Sequence, residues 1–312
     1  MTTSIQPVPS TTHEPTTGPG RGAAAIRLAL PKGRMHVGVA QLLADAGMPL
    51  RAGARDYRPA LSSPATPSEA FDVKLLKPRA IVEMLRTGRR DAGFAGADWV
   101  EETGAELVEV LDTKLDTVRL IAAAPAALLV GGALPDRPLV VASEYEGLAR
   151  RWIADRGLDA TVLCSYGATE VLPPEDADCI VDNTATGATL VANGLTIIDE
   201  LMVSSTRLYA SRAAMAEPAA RERIERFALL LGSVLEARQR AMLEVNVPAE
   251  RLDAVVGALP CMREPTVSPL RSNSGYAVKA AVRREELAGV IPLIKQLGGT
   301  DIVVSRPEQI VP

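Results

Sequence analysis

Short apolar runs alternate with longer amphipathic stretches along the first two thirds of the chain, and the spacing of apolar positions changes with them. Residues 26–30 form a compact apolar run of strand type. Val39, Leu42, Leu43 and Ala46 then fall at i, i+3, i+4 and i+7, one face of a helix that Gly47 terminates. The same rhythm predicts strands at 71–76, 139–142 and 161–164, and a buried strand within 90–99 that ends in a glycine-bounded turn. Helices are predicted around 81–85 and at 146–156, the second ended by Gly157. Strands alternating with helices imply an open α/β sheet, whose ligands sit at the carboxyl ends of the strands. The alternation restarts near Leu115, and residues 207–210 return the chain to the first unit. A repeated αβ lobe with a crossing return is the pattern of a two-lobed fold that closes on a ligand in its cleft.

Residues 232–312 follow a different order. Leu243, Val245 and Val247 alternate as a strand does, and Leu252, Val255, Val256 and Leu259 fall at helical spacing before Pro260. Two more strands are predicted at 266–270 and 276–282. A second helical stripe (Leu287, Val290, Ile291, Ile294) stops at Gly298-Gly299, and a last strand covers 302–304. The order βαββαβ is the ferredoxin-like split. Such a unit serves either as a docking module or as a small-ligand regulatory domain.

Composition narrows the classes. A length of 312 residues suits two or three domains, and 47% hydrophobic residues suffice for buried cores. Aromatics are only 3%, so the cores must rest on aliphatic side chains. The net charge is -4 with cations scattered along the chain, which speaks against nucleic acid or an anionic membrane surface as partner. Cys164, Cys179 and Cys261 lie too far apart for a zinc motif, and with two histidines, His13 and His36, a histidine-based triad or metal site is excluded as the working chemistry. The cysteine usage and the lack of an apolar leader point to a reducing, cytoplasmic setting. Residues 1–22, rich in Thr, Ser, Pro and Gly, read as a disordered tail, and the Pro- and Ser-rich stretch 51–70 as an irregular loop.

The chemistry concentrates at 177–190. The apolar run 179–181 ends in Asp182, and hydroxyl and small residues follow: Asn183, Thr184, Ala185, Thr186, Gly187, Ala188, Thr189. Gly187 lets backbone N–H groups approach an anion, the threonines offer hydroxyl donors, and the following helix presents its positive end. Asp182 is placed to accept from sugar hydroxyls. An acid for a ribose beside a nest for its phosphate suits a phosphoribosyl group. Many phosphoribosyltransferases carry a second acid where this chain has Asn183. A second anion-reading turn, Lys32-Gly33-Arg34, links the first strand to its helix.

Together these pieces resemble the long form of the ATP phosphoribosyltransferase family. The resemblance runs from about residue 26 to the C-terminus. It rests on Leu28-Ala29-Leu30-Pro31-Lys32-Gly33-Arg34, on Asp91-Ala92-Gly93-Phe94-Ala95-Gly96-Ala97-Asp98-Trp99, and on 182–190 running into Asn193-Gly194-Leu195. In the last domain it rests on Asn246-Val247-Pro248 with Leu252-Asp253, and on Glu264-Pro265-Thr266-Val267-Ser268-Pro269-Leu270. The chain departs from the usual Asp-Leu-Val or Asp-Ile-Val at Asp182-Asn183-Thr184, and from Tyr-Pro-Asn after a glutamate at Glu144-Tyr145-Glu146-Gly147.

The resemblance implies a two-lobed, periplasmic-binding-protein-like α/β catalytic core and a C-terminal ferredoxin-like (βαββαβ) regulatory domain. Lobe I would span 23–115 and 205–231, lobe II 116–204, and the regulatory domain 232–312. It further implies transfer of phosphoribose from phosphoribosyl diphosphate (PRPP) to N1 of ATP, Mg2+ as cofactor with unassigned ligands, a homohexamer, and feedback inhibition by histidine. Asp182 and residues 183–189 would bind PRPP, with Lys32, Arg34, Glu170 and Asp182 as catalytic groups. Glu170 has two readings, orienting a ribose hydroxyl or Mg2+, or capping its loop. Gly33, Gly96, Asp98 and Tyr145 would face the nucleotide, Tyr145 by stacking on or flanking it, and Asn246 and Thr266 would hold histidine. Transfer to another purine or base, or a non-catalytic ligand sensor, remain the alternative readings of the residues.

Overall fold

The protein is described as a computed structural model covering residues 25–51, 57–62, 71–271 and 274–312. The predicted tail at 1–22 and most of the 51–70 stretch lie outside the described residues. Lobe I opens with strand β1 (Ile26–Pro31) and helix α1 (Arg34–Asp45). The two-residue strands β2 (Leu50–Arg51) and β3 (Ala60–Leu61) pair with each other. They are followed by β4 (Phe71–Leu76), α2 (Pro78–Arg86), β5 (Ala92–Gly96) and α3 (Ala97–Thr103). A long strand, β6 (Val108–Pro125), crosses into lobe II, which contains β7 (Leu139–Ser143), α4 (Glu146–Arg156), β8 (Ala160–Cys164), β9 (Cys179–Thr184) and α5 (Ala188–Ala192). A second long strand, β10 (Leu195–Ala210), runs back, and α6 (Arg212–Ala216) and α7 (Pro218–Gln239) complete the core.

The strands of both lobes form one sheet in the order β4-β1-β5-β10-β6-β9-β7-β8. Outer strands pair in parallel within each lobe, whereas β10 lies antiparallel to both β5 and β6. The two crossing strands are therefore shared: the halves of β10 at Thr206–Ala210 and Leu195–Ser204 belong to different lobes. Apolar cores fill both faces of each half, as a doubly wound sheet requires. The chain has three phenylalanines, and they meet in lobe I: Phe227 of α7 lies 5.1 Å from Phe71 and 6.3 Å from Phe94 between ring centroids.

The crossing from β6 into lobe II is irregular. The register of β10 against β6 shifts at Thr206 and Arg207, whose partners are Leu115 and Asp112. Lys114 and Asp116 adopt positive φ angles of 57° and 49°, uncommon for residues with a Cβ. Side-chain bonds hold the irregularity: Thr113 Oγ1 donates to Thr206 O (2.6 Å), Ser205 Oγ to Asp112 Oδ1 (2.7 Å) and Thr206 Oγ1 to Asp116 Oδ2 (3.1 Å).

Beyond α7 the chain forms β11 (Arg240–Val247), α8 (Leu252–Ala258), β12 (Thr266–Pro269), β13 (Tyr276–Arg283), α9 (Leu287–Gln296) and β14 (Thr300–Ser305). The sheet order β12-β13-β11-β14, all antiparallel, is that of the ferredoxin-like split. Leu243, Val245 and Val247 pack with Val255 and Ile294 on one face. After β14 the chain returns to the core, where Ile310 N–H donates to Ser233 O of α7 at 2.9 Å.

Candidate active site

Local chemistry places each cluster at a strand end. Gly33 bridges β1 and α1 with φ 77°, a conformation that glycine alone adopts cheaply, and the turn turns the chain toward the carboxyl edge of the sheet. Lys32 N–H continues the β1 ladder to Leu76 O (2.9 Å), and its ammonium sits 3.5 Å from the centroid of the Tyr57 ring. Among the described residues neither Lys32 nor Arg34 forms an ion pair with a carboxylate. Arg34 is the first residue of α1 rather than part of the turn.

Lys32, Arg34, Gly96, Asp98, Tyr145 and Asn183 all line one open cavity between the lobes. Of the residues singled out in the sequence, Gly33, Glu170, Asp182 and 184–189 are outside its walls. The cavity also takes in residues that sequence reasoning missed: Asp116 and the run Ser204, Ser205, Thr206 at the crossing strands. Three hydroxyl residues in succession within the strand were the available signal. The carboxylates of the cavity are occupied by hydroxyl donors, Asp98 by Tyr145 and Ser204 and Asp116 by Thr206. Hydroxyl donors leave both carboxylates charged, so the cavity sets two cations against two carboxylates, and Lys32 and Arg34 are the groups there that can meet an anion.

Tyr145 differs from expectation. It is 1% exposed, its ring lies 4.6 Å from that of Trp99, and its hydroxyl is the part that counts. The O–H donates to Asp98 Oδ2 at 2.6 Å and accepts from Asn183 Nδ2 at 2.9 Å. A ring so enclosed offers no face for a base to stack on. Asp98 is 5% exposed and lies in the first turn of helix α3, where the sequence suggested a turn. Gly96 is required by close approach: a Cβ there would lie 2.0 Å from Asp98 Oδ1.

The acid-and-loop motif is also corrected in detail. Strand β9 does not end at Asp182 but continues through Thr184. Successive side chains alternate, so Val181 and Asn183 face α4 while Ile180, Asp182 and Thr184 face the α5 side. Burial pushes the Asp182 carboxyl up to about 6, and neighbouring Glu170 and Glu144 add to the rise. The Asn183 N–H, 2.7 Å from Oδ1, works against it. Gly187 has φ 78°, and its N–H donates to Thr184 Oγ1 (2.9 Å), while Ala188 N–H reaches Thr186 Oγ1 (3.3 Å). A hydroxyl that accepts from the backbone keeps its own proton for an anion. Helix α5 is a five-residue turn, so it contributes little macrodipole, contrary to the sequence reading. The nest rests on hydroxyls and amides instead.

In the C-terminal unit, Asn246 and Thr266 lie on the sheet face turned away from the apolar core, separated by β13. Asn246 Nδ2 donates to Asp301 Oδ2 at 3.0 Å, and Thr266 is exposed. The structure gives them one face but not one contact.

The sequence matches the family profile described as ATP phosphoribosyltransferase over residues 77–232, and the profile described as HisG, C-terminal domain, over 237–308. The ATP phosphoribosyltransferase of Desulforudis audaxviator is 35% identical over 292 residues, covering 92% of this chain and 99% of that protein. That of Pelotomaculum thermopropionicum is 32% identical over the same shares. Among solved structures, a chain of the ATP phosphoribosyl transferase (HisG:HisZ) complex from Thermotoga maritima superposes with a TM-score of 0.58. At 24% identity over 68% of this chain and 98% of that one, it supports the fold.

Proposed function

The chain belongs to the ATP phosphoribosyltransferase family, and we propose that the inter-lobe cavity and the adjoining loop at 184–189 are where its two substrates meet. The reaction is the first step of histidine biosynthesis: N1 of the adenine of ATP bonds to C1 of PRPP, and the C1–oxygen bond to pyrophosphate breaks. Adenine N1 carries a free lone pair at neutral pH, so the nucleophile needs little base help. The demanding task is to stabilise a departing pyrophosphate while positive charge develops on the sugar. Cations and positioning do this, and holding two large anions in register is worth up to roughly 7–11 kcal/mol.

In this reading the 5′-phosphate lies on 184–189, the ribose hydroxyls on Asp182 with Glu170 beside it, and pyrophosphate or triphosphate charge against Lys32 and Arg34. Gly33 leaves backbone open beside the nucleotide, whereas the space at Gly96 is taken by Asp98. The observation that carries the reading is one cavity that brings Lys32 and Arg34 together and is bounded by Asn183 of the phosphate loop's own strand.

Mg2+ fits the donor chemistry here. Asp182, with Glu170 and Glu144 near it, offers the oxygen ligands that a hard cation takes. Among the described residues no group of three or more His, Cys, Asp or Glu side chains could hold a metal ion. One or two carboxylates plus substrate phosphates are the usual Mg2+ arrangement, and the bound ion would neutralise charge on the leaving pyrophosphate.

A hexamer, a cytoplasmic location and histidine inhibition at Asn246 and Thr266 complete the proposal. Among the described residues no helix is long and apolar enough to cross a membrane. The deciding assay incubates purified protein with PRPP, Mg2+ and a panel of nucleotides and follows pyrophosphate release. Release with ATP alone supports the reading, and release with another purine in its place overturns the acceptor assignment.

A further inference from the structure

Helix α3 of lobe I grips the start of helix α4 in lobe II. Glu102 accepts from Gly147 N–H (2.9 Å) and Leu148 N–H (2.8 Å), so a carboxylate of one lobe caps a helix of the other. One turn earlier on α3, Asp98 accepts from Tyr145, while Ser204 Oγ donates to the other oxygen of Asp98 at 2.8 Å. Tyr145 is itself tied to β9 twice. Its N–H donates to Ser143 Oγ (2.9 Å), which donates on to Val181 O (2.7 Å), and its hydroxyl receives the Asn183 amide.

The direction of this chain is forced. An ionised Asp98 can only accept, so the phenolic proton must point at it, and the Tyr145 oxygen is left as an acceptor. Residue 183 must then donate. An asparagine does so, whereas the aspartate found there in many phosphoribosyltransferases, or the apolar residue common in this family, would not. Asp182 and Asn183 face opposite sides of β9, so one strand end presents an acid on one face and a tether on the other.

We propose that Asn183, acting through Tyr145 on Asp98, is a positioning residue that holds the phosphate-loop strand β9 against lobe I, setting the phosphoribosyl group at reacting distance from the nucleotide. The inference rests on the cleft reading above. It assigns Asp98, Tyr145 and Asn183, taken from the sequence as ligand contacts, to lobe alignment. Parting the lobes at α3 and α4 breaks the Tyr145–Asp98 bond and exposes a buried carboxylate. A ligand that spans the cleft is therefore bound most productively when the chain of hydrogen bonds is complete.

The test uses the full-length protein and the variants Tyr145→Phe, Asn183→Leu, their double, and Asn183→Asp. Two quantities are measured for each: kcat with saturating ATP and PRPP, and the Kd of PRPP by calorimetry. Each single variant is expected to lose about ten-fold in kcat, the scale of one hydrogen bond in a charged chain, with Kd changed less than about two-fold. The double should lose no more than the worse single, because both remove one shared chain. Asn183→Asp should be worse than Asn183→Leu, since it opposes acceptor to acceptor and adds charge beside Asp98 and Asp182. A purely structural role would lower the melting temperature and leave kcat of the folded enzyme alone. Losses that multiply in the double, single variants within two-fold of wild-type kcat, or a loss confined to Kd would overturn the proposal. Should Tyr145→Phe misfold, Asn183→Leu decides, because it leaves the Tyr145–Asp98 bond in place. Gly187→Val, run alongside, separates the two ideas: full activity there sinks the phosphate-loop assignment without touching the kcat coupling between 145 and 183.

Discussion

Burial holds the Asp182 carboxyl at about 6, well above its value in an unfolded chain, and the groups around it are Glu170, Glu144, Thr169 and the Asn183 N–H. Because the folded pKa is raised, the fold favours the protonated acid. The stability this contributes is fully present below about pH 4 and lost as pH rises through about 6. Its size is at most about 3 kcal/mol, the equivalent of a two-unit shift. Catalysis needs the opposite form, since only an ionised carboxylate accepts freely from sugar hydroxyls. Asp182→Asn should therefore melt above the wild type at pH 8 and level with it near pH 4, while turnover with PRPP collapses. Wild-type kcat/KM for PRPP should fall on the acid side of about pH 6. A variant that melts lower at pH 8 contradicts the raised carboxyl pKa, and one that keeps its turnover removes Asp182 from the sugar site. The place of Lys32 and Arg34 at a strand end was legible in the sequence because cations beside a glycine after an apolar run mark such a turn locally. The enclosure of Tyr145 was not, because whether an aromatic ring is open or covered depends on a partner, Trp99, that is distant in sequence.

At the scale of elements, the short outer strands and the helices of both lobes follow the apolar spacing closely; α4 spans Glu146–Arg156 as its stripe and Gly157 predict. The two crossing strands do not. Strands of 18 and 16 residues far exceed the usual length, and β6 carries Asp112, Thr113, Lys114 and Asp116 midway, a polar interruption that reads as a loop. Asp112, Thr113 and Asp116 are bonded across the bulge by Ser205 and Thr206, residues some ninety positions away, while Lys114 pairs with Asp112. No local pattern encodes such a pairing. The turn between β1 and α1 is the element whose function is most directly testable. Lys32→Ala and Arg34→Ala should each remove roughly 1.5–3 kcal/mol of charged hydrogen bonding, seen as a 10- to 150-fold fall in kcat/KM for PRPP or ATP. Unchanged kinetics in both variants would make them ordinary surface cations.

For the whole molecule, the order of parts was readable because each half of the core repeats a strand–helix rhythm and the last domain changes it. How the parts bear on one another is a tertiary matter. Free histidine is expected to inhibit through the C-terminal sheet, with a coupling of about 1–3 kcal/mol, or 5- to 150-fold in apparent affinity. Asn246→Ala combined with Thr266→Ala should retain turnover and lose the inhibition when histidine is titrated to millimolar levels. Equal inhibition of the double variant, or an indifferent wild type, would dismiss those residues. The return of the chain to Ser233 gives this sheet a second fixing beside its entry at Gln239. A displacement of the sheet would be felt first by α7, which bears through Phe227 on Phe71 and Phe94, in the strands on either side of β1. The far end of that path is the turn that carries Lys32.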